Sequence, residues 1–379
     1  MKKHIAFKYR IYPNKAQQKV LNDTFGCCRF VWNTILDWRS KEYSLKSIKI
    51  NYTASSKKLT QIKNEYEFLK EVSSVALQQV LRNQDTAFSA FFKGIAKYPN
   101  FKRKNGHQSF RLIDNAFRLK EKKLFIAKID TPIKVIWSRE LPTNPSSCTI
   151  SRTPTNKYYI SFVIEKDFEE LPSVSSNIGI DLGLKDFLVT SKGEKVKPLK
   201  ALRKHEVKLK RYQKVLSRRK KGSNNREKAR VKVAKIHEII ANSRKDWLHK
   251  LSTRLIRENQ SISLEDLNVK GMVKNHKLAK SINDSSWGTF VSFLEYKAEN
   301  MGRTIHKVSP WFPSSQLCSA CGFKTGRLGL NIRKWICTNC GISHDRDINA
   351  AININTAGHA GINDCGLSTG GINSSISVN

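Results

Sequence analysis

Nowhere in the 379 residues do about 18 apolar residues run together, the length a membrane-spanning helix needs. The opening stretch, MKKHIAFKYRIYPN, alternates charged with apolar side chains and contains no signal-type apolar segment. The expected location is therefore the cytoplasm, with no membrane partner. No internal repeat is visible, which sets repeat architectures aside. Paired spacing is missing from Cys27, Cys28, Cys148 and Cys365, so no disulfide framework is expected and these thiols read as buried or incidental. Acidic side chains are scarce: 31 Asp+Glu stand against 69 Lys+Arg, a net charge of +38. An excess that large calls for a polyanionic partner, nucleic acid before a membrane surface.

What is present can build a core. Apolar residues make up 39% of the chain, with seven Trp and eighteen Phe, which excludes a disordered basic protein. The length fits two or three domains. Residues 3–12 read as a strand with Ile5, Phe7, Tyr9 and Ile11 on one face. After Pro13-Asn14, residues 15–46 read as helices. A second helical region opens at Asn51-Tyr52-Thr53 and is expected to continue to Phe92. The basic, turn-rich PNFKRKNGHQSF (99–110) marks a boundary, and residues 110–166 return to short alternating segments, as antiparallel strands do. The simplest picture is a small β-barrel interrupted by a helical insert. SVSSN (173–177) reads as a linker, NIGIDLGLKDFLVTSKGE as strand, kink, strand and turn, and residues 196–256 as two long helices joined by KKGSNN. Between Glu194 and Lys250 stand 21 Lys+Arg and 5 Asp+Glu, including Arg218-Arg219-Lys220-Lys221 at the hairpin tip. A solvated helix face would explain some of that; so one-sided a run favours phosphate contact. A short strand, 261–267, ends in acid. A helix from about Trp287 to Met301 and the strand RTIHKVSP follow. The Gly-, Ser- and Asn-rich tail, 358–379, reads as disordered.

Two Cys-x-x-Cys pairs, Cys318/Cys321 and Cys337/Cys340, are separated by fifteen residues. That spacing fits a closed tetrahedral zinc site of structural type, with Gly322 and Gly341 allowing the turn after each second cysteine. Three acids sit where elements begin or end. Asp181 follows the apolar run Ile178-Gly179-Ile180, where an ionised carboxylate is expensive unless paired or metal-bound. Glu265 closes the strand Ile262-Ser263-Leu264, and Asp347 opens the helix INAAINI. Each has a plainer explanation: a turn before Gly183, a surface strand end, an N-terminal helix cap. Asp186, Asp266 and Asp345 are nearby alternatives. Taken together, a strand Asp, a strand-end Glu and a helix Asp fit the metal-binding layout of RNase H-like nucleases. There two Mg²⁺ ions about 4 Å apart activate water and stabilise the leaving oxygen of a phosphodiester.

The segments GIDLGLKDF, LEDLNVKGM, SPWFPSSQLCSACG and CTNCGISHDRDINAAININ resemble the TnpB family, transposon-encoded RNA-guided DNA endonucleases similar to the small ancestors of type V CRISPR effectors. The N-terminal KHIAFKYRIYPNKAQQKVLN, the segment LQQVLRNQDTAFSAFFKG, the YPNFKRK turn and LSRRKKGS extend the likeness over nearly the whole chain. The resemblance implies an α+β multidomain fold: a wedge β-barrel (1–14 and 100–172), a helical recognition insert (15–99), an RNase H-like RuvC nuclease domain (173–312 and 342–357) and a nested zinc ribbon (313–341). It implies a nuclease triad of Asp181, Glu265 and Asp347 holding two Mg²⁺ ions, and structural Zn²⁺ on Cys318, Cys321, Cys337 and Cys340. It also implies a guide RNA from the transposon end and a double-stranded DNA target flanked by a short motif. Tyr52, Ser56, Val75 and Gln78 fall at places where the family reads that motif. No obligate protein partner is implied. Three other readings stay open: an RNase H-like transposase, a catalytically silent RNA-guided repressor, and a zinc-ribbon RNA-processing factor. A missing acid would mark the repressor, and none is missing; a processing factor would have no use for Asp181.

Overall fold

A computed structural model describes residues 2–326, 328–329 and 331–361. Cys365 and most of the tail expected to be disordered lie outside them. The chain divides into two compact units, residues 1–167 with 219–235, and residues 168–218 with 236–379.

The first unit is a seven-stranded antiparallel sheet with three helices inserted after its first strand. β1 (Lys2–Tyr12) leads into α1 (Lys15–Lys46), α2 (Tyr52–Glu65) and α3 (Ser74–Phe92); β2 (Gln108–Ile113), β3 (Phe117–Lys120), β4 (Lys123–Ile126), β5 (Ile129–Ile136), β6 (Ser147–Arg152) and β7 (Tyr158–Asp167) follow. The strand order is β2-β6-β7-β1-β5-β4-β3, so β1, first in sequence, lies in the middle between β7 and β5. That is the barrel-like sheet with a helical insert which the alternating segments implied. The inward set is the predicted one: Phe7, Tyr9 and Ile11 are buried, Ile5 partly so.

Two helical expectations need correcting. Residues 15–46 form one unbroken helix rather than several, started by a reciprocal cap in which Asn14 and Gln17 each bond the other's backbone N–H. The expected run from Asn51 to Phe92 instead breaks between Glu65 and Ser74. A single 3₁₀ turn at Glu67–Leu69 bridges the break, and Leu69 and Val72 are buried there. The basic turn is anchored rather than loose. Asn33 donates to Lys102 O (3.0 Å) and accepts from Lys102 N (2.8 Å), and Trp32 Nε1 donates to Asn100 O.

The second unit contains β8 (Asn177–Leu182), β9 (Leu188–Thr190), β10 (Lys195–Val196), α4 (Ala201–Ser217), α5 (Asn224–Glu258), β11 (Ser261–Glu265), α6 (Val269–Met272), α7 (His276–Ser285), α8 (Trp287–Met301), β12 (Thr304–Val308), β13 (Lys334–Ile336), β14 (Ser343–Asp345) and α9 (Arg346–His359). α5 gives residues up to Lys235 to the first unit. Five strands form one sheet in the order β10-β9-β8-β11-β12; β8, β11 and β12 are parallel, and β9 and β10 turn back antiparallel. Ile178, Ile180, Ile262 and Leu264 on two adjacent strands pack with Phe187, Leu248, Leu255, Trp287, Phe290 and Leu294. The basic run is the predicted pair of helices. Leu209 on α4 and Ala229, Ile236 and Ile240 on α5 are buried, and Arg218 to Lys221 lie exposed between them.

α9 packs against β8, β9, β11 and β12. Its approach is close enough to require glycine at two crossing points. A Cβ on Gly179 would overlap Ala351 O and stand 2.7 Å from Asn355 N, and one on Gly358 would overlap Ser263 Oγ. No end of a flexible side chain can yield at Gly179, because backbone of α9 is what it meets. Gly179→Ala is therefore expected to destabilise the protein by about 3 kcal/mol, at the upper end of overpacking costs. Chemical denaturation should register this as a lower midpoint at unchanged slope. An unchanged midpoint would mean α9 does not lie against β8.

Candidate carboxylate site and thiolate knuckle

Asp181 lies near the end of β8, and Glu265 is the last residue of β11. The two strands run parallel in the register Ile180↔Leu264, which makes Asp181 and Glu265 the next pair along. Side chains in register on adjacent parallel strands point to the same face. Both acids therefore share one side of the sheet at the carboxyl ends of parallel strands, where open α/β sheets place their ligands. Asp347 comes from the first turn of α9, the helix seated on those strands.

Their electrostatics link the three. Burial, and then the nearby charges of Glu265 and Asp347, push the Asp181 carboxyl up to about 7 despite Arg346 and Arg333. Burial also raises Glu265, against a hydrogen bond from Ser314. Asp347 is met by a cation: Arg333 Nη1 lies 3.0 and 3.2 Å from its two oxygens. Arg333 sits in the loop between the cysteine pairs, and nothing in the spacing of that loop identified it. Ser314 likewise carried no signal in the sequence. Its Oγ donates to Glu265 Oε1 over 2.6 Å.

The neighbouring acids have other partners. Asp345 caps α9, accepting from the Asp347 and Ile348 N–H groups, and pairs with Lys195 at 2.6 Å. Burial opposes its charge, but Lys195 and those amides outweigh burial and hold the carboxyl below its usual range. Asp186 pairs with Lys197 at 2.6 Å, and Asp266 is an exposed residue 3.8 Å from Lys307.

The four cysteines converge. Their sulfurs all lie within 4.8 Å of one another, and they are the one group of three or more Cys, His, Asp or Glu among the described residues so placed for an ion. Cys318–Cys340 and Cys321–Cys337 are each 3.7 Å apart. A tetrahedral ion with sulfur at about 2.3 Å separates its ligands by about 3.8 Å, so these two opposite pairs already have the spacing such an ion needs and the remaining sulfurs are close enough to join it. Both halves have the same turn. Gly322 N donates to Cys318 O and Gly341 N to Cys337 O, each at 2.9 Å, and both glycines have φ of 73°, the left-handed value expected of them. His344 Nε2 stands 3.1 Å from Cys318 Sγ, one residue before the cap of α9.

The residues assigned to DNA-motif reading lie on the helical insert. Tyr52 and Ser56 are in the first turns of α2, and Val75 and Gln78 in the first turns of α3. The two helices pack together, with Arg82 of α3 over the Tyr52 ring at 4.8 Å. Gln78 is exposed; Tyr52 and Val75 are half-buried against the core.

Comparison with known proteins agrees with this architecture. Residues 159–276 match the OrfB_IS605 family, described as "Probable transposase", and residues 287–354 match a "Cas12f1-like, TNB domain". Residues 1–46 match a "Helix-turn-helix domain", yet they form one strand and one continuous helix here. The chain is 44% identical over 360 residues to a "Putative RNA-guided DNA endonuclease" of Streptomyces pristinaespiralis, covering 94% of this chain and 89% of that one. It is 31% identical to "Putative RNA-guided DNA endonuclease InsQ" of Escherichia coli (strain K12), covering 95% and 94%. The solved "Cryo-EM structure of the Cas12f1-sgRNA-target DNA complex" contains a chain of the same fold, with a TM-score of 0.55 and 15% identity over 89% of this chain and 83% of that one. Identity this high, sustained over nearly the full length of both relatives, places the chain in the TnpB family.

Proposed function

We propose that this protein is an RNA-guided DNA endonuclease of an insertion-sequence transposon, with one RuvC-type centre built by Asp181, Glu265 and Asp347. The observation that carries the reading is the register that sets Asp181 beside Glu265, together with the rise of the Asp181 carboxyl to about 7 near the charges of Glu265 and Asp347. Like charges gathered at strand ends are costly unless a cation neutralises them. Three carboxylates offer the hard oxygen donors that Mg²⁺ prefers. Bound there, two Mg²⁺ ions would supply an activated water and stabilise the leaving oxygen of a phosphodiester. Asp181 and Glu265 would hold a cation from the strand side of the site and Asp347 from the helix side, where Arg333 pairs with Asp347.

In this reading the cysteine knuckle holds Zn²⁺ in a closed structural site, since four thiolates leave no open position. The seven-stranded unit is the wedge barrel (1–14 and 100–172). Residues 15–99 form the recognition insert, where Tyr52, Ser56, Val75 and Gln78 inspect the target-adjacent motif. Residues 173–312 and 342–357 form the nuclease domain, and 313–341 the zinc ribbon. The guide RNA is held through its phosphates and shape, with the 21 Lys+Arg between Glu194 and Lys250 as its main electrostatic anchor. Guide pairing then supplies the sequence specificity.

The test is to express the protein with its native flanking DNA, sequence the RNA that copurifies, and challenge the complex with a plasmid library carrying the matching target and randomised flanks. The expected result is one discrete RNA and Mg²⁺-dependent cutting restricted to one short flank. Strand joining without a discrete RNA would instead mean a transposase. Guided binding without cutting would mean a repressor.

A further inference from the structure

The segment joining β12 to the thiolate knuckle is fixed to α9 more firmly than a connecting loop requires. Two asparagines one turn apart on α9 hold it, both buried. Asn349 Nδ2 donates to Leu317 O (2.7 Å), and its Oδ1 accepts from Ser319 N (2.9 Å). Asn353 Nδ2 donates to Leu317 O and to Ser314 O, both at 2.8 Å. Ser314 N is also taken, donating to Phe312 O over 2.8 Å. Backbone polar groups that find protein partners on both sides of a residue leave it little freedom. Ser314 is only 7% exposed, and its hydroxyl is the group that reaches Glu265.

A serine can bond a carboxylate merely because both are nearby. Two observations argue for more. The contact is 2.6 Å, in the range of a charge-assisted O–H···O⁻ bond. Moreover, the helix that fixes Ser314 through Asn353 also carries Asp347 in its first turn, so one rigid element sets both sides of the site. A short side chain with one rotatable bond transmits that placement with little slack.

We infer that Ser314 is a positioning residue for the nuclease site: its hydroxyl occupies Glu265 Oε1, fixes the carboxylate plane and leaves Oε2 for a divalent cation. This rests on the carboxylate-site reading above. Removing a partner that orients a metal ligand typically costs 10–100-fold in affinity.

The experiment measures Mn²⁺ binding to the zinc-loaded, RNA-bound protein by electron paramagnetic resonance of the free ion, without DNA. Wild type is compared with Ser314→Ala, Ser314→Thr and Ser314→Val, and with Glu265→Gln as the control that removes the ligand itself. Ser314→Ala and Ser314→Val are expected to weaken Mn²⁺ binding about tenfold or more, with zinc content unchanged and the metal-free melting temperature lowered equally in the two. Ser314→Thr should restore binding. Threonine and valine are nearly isosteric, so their difference isolates the hydroxyl even if alanine perturbs folding. Equal binding by the threonine and valine proteins would overturn the role of Ser314 and leave the site reading intact. Wild-type protein that binds no more Mn²⁺ than Glu265→Gln would overturn the site reading and this inference with it.

Discussion

The Asp181→Asn protein is expected to lose DNA cleavage by about a thousandfold or more, keep its guide RNA, and melt at a higher temperature than wild type when no divalent metal is present. The loss in rate follows from removing a charged oxygen from the site: metal-borne stabilisation of the transition state is worth several kcal/mol, and each 1.4 kcal/mol is about tenfold. The gain in stability follows from the carboxyl's displaced equilibrium. Its folded value, about 7, lies above the ordinary Asp value of 3.8. The folded protein therefore holds a proton that the unfolded chain releases, and stability falls as pH rises from about 4 to about 7. Above that window the wild-type protein carries the full penalty, about 4 kcal/mol by linkage. Asparagine has no charge to bury and avoids it.

The comparison has a shape in pH as well as a size. Near pH 4 the two proteins should melt together; the gap should open through the next three units and stay constant above pH 7. Magnesium should then reverse the order. A ligand that binds only the folded state stabilises it by RT ln(1 + [L]/Kd), so wild type gains melting temperature with added Mg²⁺ and Asp181→Asn does not. Undiminished cutting by Asp181→Asn would remove Asp181 from the site. A pH-independent gap would mean that its carboxyl is not held protonated by burial and by its neighbours.

Much of the candidate site is legible in the sequence because its parts are local patterns. An acid at or near a strand's end, as at Asp181 and Glu265, can be read from an apolar run that stops at a carboxylate. The knuckle can be read from cysteine spacing and the glycine after each pair, and both glycines do adopt left-handed backbone. What could not be read depends on partners distant in sequence. Gly179 looks like an ordinary strand glycine until α9, some 170 residues later, is laid against it. Arg333 and Ser314 gain meaning only from the carboxylates they meet. Asn349 and Asn353 are a partial exception. Two asparagines spaced i,i+4 among the apolar residues of INAAININ are buried polar groups in need of partners, and the segment from Ser314 to Ser319 supplies them. The break between α2 and α3 is hidden in the sequence for a different reason. NEYEFLKEVSS contains no Gly or Pro, and burial of Leu69 and Val72 rather than local turn chemistry accounts for it.

Replacing one thiolate, Cys337→Ser, should cost the protein its zinc, several kcal/mol of stability and its DNA cleavage together. A structural zinc site contributes its binding energy directly to folding. Here two opposite sulfur pairs already stand 3.7 Å apart and all four sulfurs lie within 4.8 Å, so gathering them around an ion offsets little of the gain. The effect should reach the carboxylates along two covalent routes out of the knuckle. On one side Cys318 lies within the stretch from Ser314 to Ser319 that bonds Asn349 and Asn353 and presents Ser314 to Glu265. On the other, β14 pairs with β13 and runs from His344, beside Cys318 Sγ, through the Asp345 cap into Asp347. Losing the ion frees both routes at once, and Glu265 and Asp347 lose their fixed placement although neither binds zinc. Stripping zinc with a zinc-selective chelator, with Mg²⁺ in excess throughout, should therefore release one zinc per chain and stop cleavage. Added zinc should restore cutting, and added Mg²⁺ should not. Cleavage that survives complete removal of zinc would separate the knuckle from the active site, and the two routes from Cys318 and His344 would then carry no positional information.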